Sequence, residues 1–323
     1  MRAELGRDLG RRQRRDHHHK GVRLSEALKQ RTADPTGEKQ IHDDYPRIAW
    51  LAKQHFSLAL LPSATSLRLL REIASSKSRG TDPLIGVGDP TLHGRGKDRG
   101  GAMLATRSAE AVDDIRLLPG LPGTRDELLA EAHALGANPD RDLFMQDRAT
   151  RATVMNLNRD RLAKVRVVSF ATHALTGGEL KAYLEPALVL TPPSEPTPDD
   201  NGLLVLADIM GLHLGASEWV VLSACNTANG GDGLSGLVRG FFFAGAPALL
   251  VSQWSVNDDA TDHLMTELFR YYAANPRTPR ADALRHAMLD LMTAPAGVDD
   301  AFFAQPFAWA PFVLVGDGGP ASR

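Results

Sequence analysis

The stretch Val165–His173 reads VRVVSFATH, and its character decides the fold. Its apolar residues do not alternate with polar ones, which predicts a strand buried on both faces. Residues 219–224 and 248–254 have the same character. Because segments of helical length and spacing lie between and after these runs, the sequence predicts an α/β fold with a mostly parallel central sheet flanked by helices on both faces.

Shorter segments extend this pattern. Leu84–Gly88 and Phe312–Val315 read as two more strands, and Ser57–Leu61 is a short apolar run that ends at Pro62. Thr124 is a candidate helix cap, and Gly136 is a candidate helix stop. The helices that we predict cover Leu67–Ala74, Arg125–Leu135, Leu234–Ala244, Thr261–Tyr272 and Ala281–Met292.

Two chemically active residues follow separate predicted strands. His173 ends the first stretch, and Cys225, the single cysteine of the chain, ends the second, 52 residues later. Working residues of open α/β sheets lie at the carboxyl ends of strands, and an imidazole near a thiol favours the reactive thiolate. A spacing of about fifty residues between His and Cys is also typical of caspases. The alternative is a buried structural thiol beside an unrelated loop histidine.

Composition excludes several classes of protein. The 323 residues are 43% hydrophobic and 24% charged, with a net charge of −2, which is atypical of a nucleic-acid binder that acts through overall charge. One cysteine excludes an internal disulfide framework and a multi-cysteine zinc site, so we expect a reducing, cytoplasmic location. No apolar run approaches the length of a membrane span.

The first forty residues differ from the rest of the chain. They hold eleven basic and six acidic residues and few apolar ones. This composition predicts a basic, disordered arm over residues 1–40, with a polyanion-binding tail as the alternative. His17–His19 lack a periodic scaffold around them, so we expect no metal site there or elsewhere.

Several motifs carry a family resemblance. Val220–Thr227, VVLSACNT, closely resembles the cysteine motif of the CHAT domain, and Phe170–His173 resembles its histidine motif. Further matches lie, in the same order, in the segments 61–67, 233–245, 251–256 and 309–317. CHAT domains are caspase-like cysteine peptidases of the separase type, often joined to tetratricopeptide repeats. The resemblance implies a caspase-like CHAT domain over residues 41–317, followed by a short tail, 318–323.

The same resemblance implies a hydrolase that carries out proteolysis through a Cys-His dyad. Cys225 would be the nucleophile and His173 the general base and acid. The backbone N–H groups of Ala174 and Cys225 would form the oxyanion hole. The implied substrate pocket comprises Ser252, Gln253, Trp254 and Asp232. No cofactor is implied, and the expected partners are a protein or peptide substrate and a regulatory protein, with neither nucleic acid nor membrane.

Two departures from the family pattern keep a second interpretation open. The residue after the histidine is often Gly in the family but is Ala174 here, which would cost around 1 kcal/mol if that position needs a positive φ. Residues 1–40 also lack the additional strand that usually precedes Ser57–Leu61. The alternative is therefore a catalytically weak or inactive, peptidase-like protein-interaction module. Nucleotide binding comes third, because Gly86–Thr91 begins like a dinucleotide fingerprint but lacks its third glycine.

The implied pocket also limits specificity. No Arg lies within 252–256 or 226–234, so a preference for Asp before the scissile bond is not expected. Two options remain, a basic residue paired with Asp232 or an apolar residue packed on Trp254. A solvated Asp232 among glycines attracts weakly, which favours an apolar or mixed preference.

Overall fold

A computed structural model describes most of the chain. The described residues are 53, 55–61, 67–68, 71–72, 79–92, 107–121, 123–175, 185–197, 199–223, 232–253, 258–293 and 303–320, with the backbone alone at 107–111, 232–235 and 258. The predicted basic arm, residues 1–40, lies outside the described residues. Half of the helix predicted over Leu67–Ala74 is described, and these residues, 67–68 and 71–72, are helical.

A six-stranded sheet forms the centre of the molecule. Its strands are β1 (Asp82–Gly88), β2 (Leu143–Met145), β3 (Val165–Ala171), β7 (Trp219–Ser223), β8 (Ala248–Ser252) and β9 (Phe312–Gly316). They lie in the order β2-β1-β3-β7-β8-β9, and all neighbouring strands are parallel except β8 and β9, which are antiparallel. The mostly parallel sheet predicted from the sequence is thus confirmed.

Helices cover both faces of this sheet, as the sequence predicts. The helices longer than one turn are α1 (Arg107–Arg116), α2 (Gly123–Leu135), α3 (Arg151–Asp160), α4 (Leu206–Met210), α5 (Asp232–Phe243), α6 (Asp258–Ala274) and α7 (Arg280–Met292). Shorter segments include one-turn helices at Pro139–Asp142 and Pro306–Trp309 and 3-10 turns at Gln146–Arg148 and Leu162–Lys164.

Alternate residues of each central strand face two separate cores. On one face, Val167 and Trp219 pack against α2, α6 and α7, and Trp219 makes edge-on ring contacts with Tyr272 at 5.4 Å and Phe269 at 5.9 Å. On the other face, Val168 packs against α3, α4 and α5. Both sets of side chains are removed from water, which is why these strands read as continuous apolar runs.

A small antiparallel sheet lies beside the central one. It consists of β4 (Ala174–Leu175), β5 (Ala187–Val189) and β6 (Leu203–Val205), in the order β4-β5-β6. Its side chains share a third apolar cluster with Ile115 of α1. Strands of two or three residues are too short to show a period, so the sequence did not predict this sheet.

An N-terminal segment, residues 55–61, lies along the outer edge of β9, and we call it the strap. Leu60 donates a backbone hydrogen bond to Leu314 at 2.8 Å and accepts one from Gly316 at 2.8 Å. The Ser57 hydroxyl donates to Asp282 of α7. The apolar run Ser57–Leu61 thus reaches the sheet through an isolated parallel bridge between Leu60 and Val315.

The predicted end of α2 is confirmed, whereas its predicted N-terminal cap is wrong. Gly136, at φ +71°, follows the last residue of α2, as predicted. Thr124, the predicted cap of this helix, instead lies inside its first turn, and its hydroxyl donates to Leu121 C=O at 2.6 Å.

Among the described residues, no helix combines the length and apolar character that a membrane crossing requires.

Candidate functional site

Two neighbouring strands lead toward the predicted histidine and the predicted cysteine. β3 and β7 are parallel and adjacent, and their register joins Val167 to Trp219 and Ala171 to Ser223. Each of these pairs is 52 residues apart, the same interval that separates His173 from Cys225. His173 follows β3 by two residues, while Cys225 and Trp254 lie outside the described residues.

The His173 side chain is held by a backbone carbonyl. Its Nε2 lies 2.8 Å from the carbonyl oxygen of Pro119, which can only accept a hydrogen bond, so Nε2 carries the proton. In the neutral ring, Nδ1 is then the unprotonated nitrogen, the one able to act as a base. The ring is partly exposed, so a substrate group could approach it.

The backbone around His173 is anchored by the small sheet. The His173 carbonyl accepts a hydrogen bond from Val189 N–H at 2.9 Å, and the buried Thr172 hydroxyl donates to the Val189 carbonyl. Both bonds tie the end of β3 to β5. They fix where the chain turns out of the central sheet, and this determines the position of the imidazole.

Ala174 follows as the first residue of β4 and is buried. Positive φ occurs among the described non-glycine residues at His55, Asp89 and Gln146, and Ala174 is not one of them. The cost of about 1 kcal/mol expected for a positive φ at Ala174 therefore does not arise. Because the Val189 N–H bonds to the His173 carbonyl, the neighbouring antiparallel pair, Ala174 with Leu188, is a non-hydrogen-bonded pair whose N–H groups point away from the partner strand.

Two buried acids lie on α2 beneath the strand ends, and sequence reasoning missed both. Ser223, the last residue of β7, donates its hydroxyl to Glu127 at 2.9 Å. Glu131, one turn along α2, is fully buried, and burial raises the pKa of its carboxyl to about 8, with Ser169 of β3 acting weakly in the opposite direction. Acidic residues in a helix normally indicate its solvent-exposed side, so no sequence signal distinguished these two.

A strained corner lies at the ends of β1 and β2. Asp89 and Gln146 both have positive φ, +46° and +52°, and Gln146 N–H donates to the Asp89 carbonyl at 2.8 Å. Burial raises the pKa of the Asp89 carboxyl, while its bond to Gln146 and the charge of Arg125 act in the opposite direction. Asp89 N–H also donates to Ala171, so this corner supports the end of β3 directly.

The described part of the predicted substrate pocket lies on the next strand. Ser252, the buried last residue of β8, pairs with Phe312 of β9. Gln253 follows it and donates its backbone N–H to Pro311 at 2.9 Å. The structure therefore brings Ser252 and Gln253 to the same edge of the sheet as His173. Asp232 is the first residue of α5, and its side chain is outside the described atoms.

Within the part of the chain that the structure describes, no three His, Cys, Asp or Glu side chains are grouped to hold a metal ion.

Comparisons with known proteins find two sequence relatives of this chain. The chain is 27% identical to tetratricopeptide repeat protein 28 from Mus musculus and 26% identical to the protein of that name from Homo sapiens. Each alignment covers 81% of this chain and 11% of the relative, so the chain spans about a tenth of the length of these relatives.

Two solved structures are also similar. One is the Arg specific cysteine proteinase gingipain R, with a TM-score of 0.40 and 11% identity over 81% of this chain and 54% of that one. The other is a complex of Porphyromonas gingivalis RgpB pro- and mature domains, with a TM-score of 0.42 and 10% identity over 81% and 55% of the two chains.

The family comparison covers the central sheet, its helices and both predicted dyad positions. Residues 39–317 match the CHAT domain, and this range contains every motif on which the sequence resemblance depends. The chain belongs to the CHAT domain family.

Proposed function

We propose that this CHAT domain is a cysteine endopeptidase that hydrolyses protein substrates through His173 and Cys225. The observation that carries the proposal is the register of β3 and β7. Ala171 and Ser223 are the last paired residues of the two strands, and His173 and Cys225 each follow by two residues, so both side chains would leave the sheet at neighbouring strand ends. Adjacent strands lie about 4.8 Å apart, so the two side chains would share one cleft.

The hydrogen bond to Pro119 supports a specific role for each imidazole nitrogen. With the Nε2 proton held by the carbonyl at 2.8 Å, Nδ1 would accept the thiol proton of Cys225. The resulting imidazolium would have both protons engaged, one with Pro119 and one with the thiolate. This pairing stabilises the thiolate relative to the thiol, which is the form that attacks a carbonyl.

The proposed reaction has two halves. The Cys225 thiolate adds to the scissile carbonyl carbon, and the tetrahedral intermediate collapses to a thioester as the His173 Nδ1 proton passes to the leaving amine. Water, deprotonated by the same nitrogen, then attacks the thioester and releases the acid product and the thiol. No cofactor is required for either half.

Backbone geometry at Ala174 is compatible with the oxyanion hole that the family resemblance implies. Its N–H points away from β5, and the residue adopts an unstrained backbone conformation. Together with the N–H of Cys225, it would donate to the oxygen that becomes negative during attack. Loss of one such donor typically costs a hundredfold or more in rate, roughly 3 kcal/mol.

Alkylation of Cys225 tests the dyad directly, because the chain contains no other cysteine. We expect iodoacetamide to modify wild-type protein at pH 7 about tenfold faster than the His173→Ala variant, since the imidazole favours the thiolate. His133→Ala is the matched control, because this exposed histidine lies at the far end of α2, and it should leave the rate unchanged. Equal rates in wild type and His173→Ala would mean that no dyad exists.

Turnover separates a peptidase from an inactive interaction module. A proteome-wide search for new protein N-termini, comparing wild type with Cys225→Ala, should find cleavage products that depend on the cysteine. Fast alkylation without any cysteine-dependent product would favour the interaction module.

A further inference from the structure

An apolar cavity of about 370 Å³ lies next to Gln253, at the edge of the central sheet. The strap and β9 form two of its walls, and α7 and the one-turn helix Pro306–Trp309 form the others. Its lining includes Leu58, Leu284, Met288, Trp309 and Phe312. A volume above about 300 Å³ is in the range of cavities that bind small molecules or side chains.

The cavity exists because the strap separates from β9. Leu60 bonds to Leu314 and Gly316, but among the described residues no backbone bond joins strap residues 56–58 to β9. The strap side chains at this end are exposed, 57% for Phe56 and 62% for Leu58. An apolar opening is thus left between two elements that are tied together at one end.

The position of the cavity relates it to the proposed catalytic residues. Gln253 lines it and directly follows β8, and β8 pairs with β7, which leads to Cys225. β9 is the next strand outward, two strands from β7. At about 4.8 Å between strands, the cavity is roughly 10 Å from the end of β7. An extended peptide advances about 3.3 Å per residue, so it covers this distance in about three to four residues.

We propose that this cavity binds an apolar side chain of the peptide substrate, three or four residues before the scissile bond. The inference rests on the proposed function, together with the implied pocket at the end of β8 for the residue before the scissile bond. A peptide that continues in the same direction reaches β9, where Trp309, Met288 and Leu284 offer an apolar surface. The Phe312 carbonyl faces the outer edge of β9, where it can accept a hydrogen bond from the peptide backbone.

Acetyl-tetrapeptide coumarin libraries, with one position fixed and the others mixed, test the proposal. Wild-type protein should cleave pools with Leu, Met or Phe at the third or fourth position before the bond about tenfold faster than pools with Ser. Ala310→Leu adds a side chain to the cavity wall and should reduce this preference to about threefold or less. Ala274→Leu, at an exposed site on α6, is the matched control and should retain the preference. A wild type without apolar preference, or a preference that survives Ala310→Leu, would overturn the proposal.

A second variant and a binding measurement keep the test independent of folding and of turnover. Leu58→Ser alters an exposed cavity residue and should reduce the preference in the same direction. If no pool is cleaved, equilibrium dialysis of the Leu-fixed and Ser-fixed pools with Cys225→Ala protein measures whether the cavity binds the apolar side chain. Selective retention of the Leu pool, lost on adding Ala310→Leu, would support the cavity as a binding site while the proposed peptidase activity fails. Equal retention of both pools would reject the cavity as a subsite.

Discussion

Single residues at the end of β3 show how local backbone geometry serves the proposed chemistry. His173 is fixed through its ring by Pro119 and through its carbonyl by Val189. Ala174 then enters β4 without strain, although glycine is frequent at the corresponding family position. Glycine is required only where φ is positive, and at Ala174 φ is not.

Replacing Ala174 by Gly should therefore bring no gain. We expect Ala174→Gly to lower the free energy of unfolding by about 0.5–1 kcal/mol, the usual cost of a glycine inside a strand, and to leave peptide hydrolysis no faster than wild type. Chemical denaturation and coumarin release measure the two effects. A faster variant would indicate that the active conformation needs a left-handed backbone at this position.

Glu131 makes stability depend on pH. Its pKa is about 8 in the folded chain, because burial disfavours the carboxylate, against 4.5 in the unfolded chain. Below pH 4.5 both states are protonated, so the group contributes no pH dependence there. Between pH 4.5 and 8 the unfolded chain ionises first, and folding must take up a proton.

We therefore expect the free energy of unfolding to fall by roughly 1.4 kcal/mol per pH unit across that window, relative to Glu131→Gln. Urea denaturation at pH 5, 6 and 7 provides the comparison, and Asp140→Asn, at an exposed site, serves as the control. Parallel pH profiles for wild type and Glu131→Gln would contradict the assignment.

Among the elements, the turn between α2 and β2 depends on one buried carboxylate. Asp142 accepts hydrogen bonds from Arg141 at 2.8 Å, Arg161 at 2.5 Å and Asn138 N–H at 2.9 Å. Burial alone would raise the pKa of Asp142, but these three bonds outweigh burial and hold it below its ordinary value. Arg161 also reaches Asp82 of β1, so the group joins several elements at the amino end of the sheet.

Asp142→Asn should lower the free energy of unfolding at pH 7 by about 2 kcal/mol, since two guanidinium groups lose a charged acceptor. A depressed pKa stabilises above the unfolded value of 3.8, and this contribution disappears as pH falls through the folded pKa. The difference between variant and wild type, measured by urea denaturation, should therefore shrink below pH 3.8. A constant difference down to pH 2 would show that packing, and not charge, is lost.

At the level of the whole molecule, the two N-terminal segments should contribute unequally to stability. Residues 1–40 carry few apolar groups, so their removal should leave the melting temperature nearly unchanged. Removal of residues 1–61 also deletes the strap, its two bonds from Leu60 to β9 and the bond from Ser57 to Asp282.

We expect the longer truncation to lower the melting temperature by roughly 5 °C or more, since each kcal/mol shifts a domain of this size by about 2–4 °C. Differential scanning calorimetry of the two truncated proteins measures the difference. A large decrease on removing residues 1–40 alone would mean that the arm replaces the additional strand that usually precedes this segment in the family.

Much of the architecture was predictable from the order of residues. Val165–Ala171, Trp219–Ser223 and Ala248–Ser252 must be apolar on both faces because helices cover the sheet on both sides, and that requirement is visible in the sequence. The interval of 52 residues between His173 and Cys225 was likewise visible. Only the structure relates this interval to the sheet, because β3 and β7 pair with the same offset of 52 residues.

Other features were decided by tertiary structure because their cause lies in distant residues. The three-residue strand β5 is too short to carry a pattern and forms where β4 and β6 pair with it. The acids Glu127 and Glu131 read as a solvent-exposed helix face, yet the packing of α2 on the sheet buries them. The cavity beside Gln253 arises where the strap separates from β9. Local sequence patterns indicate which side chains are buried. The residues that pack around them are distant in sequence and come into contact only in the folded chain.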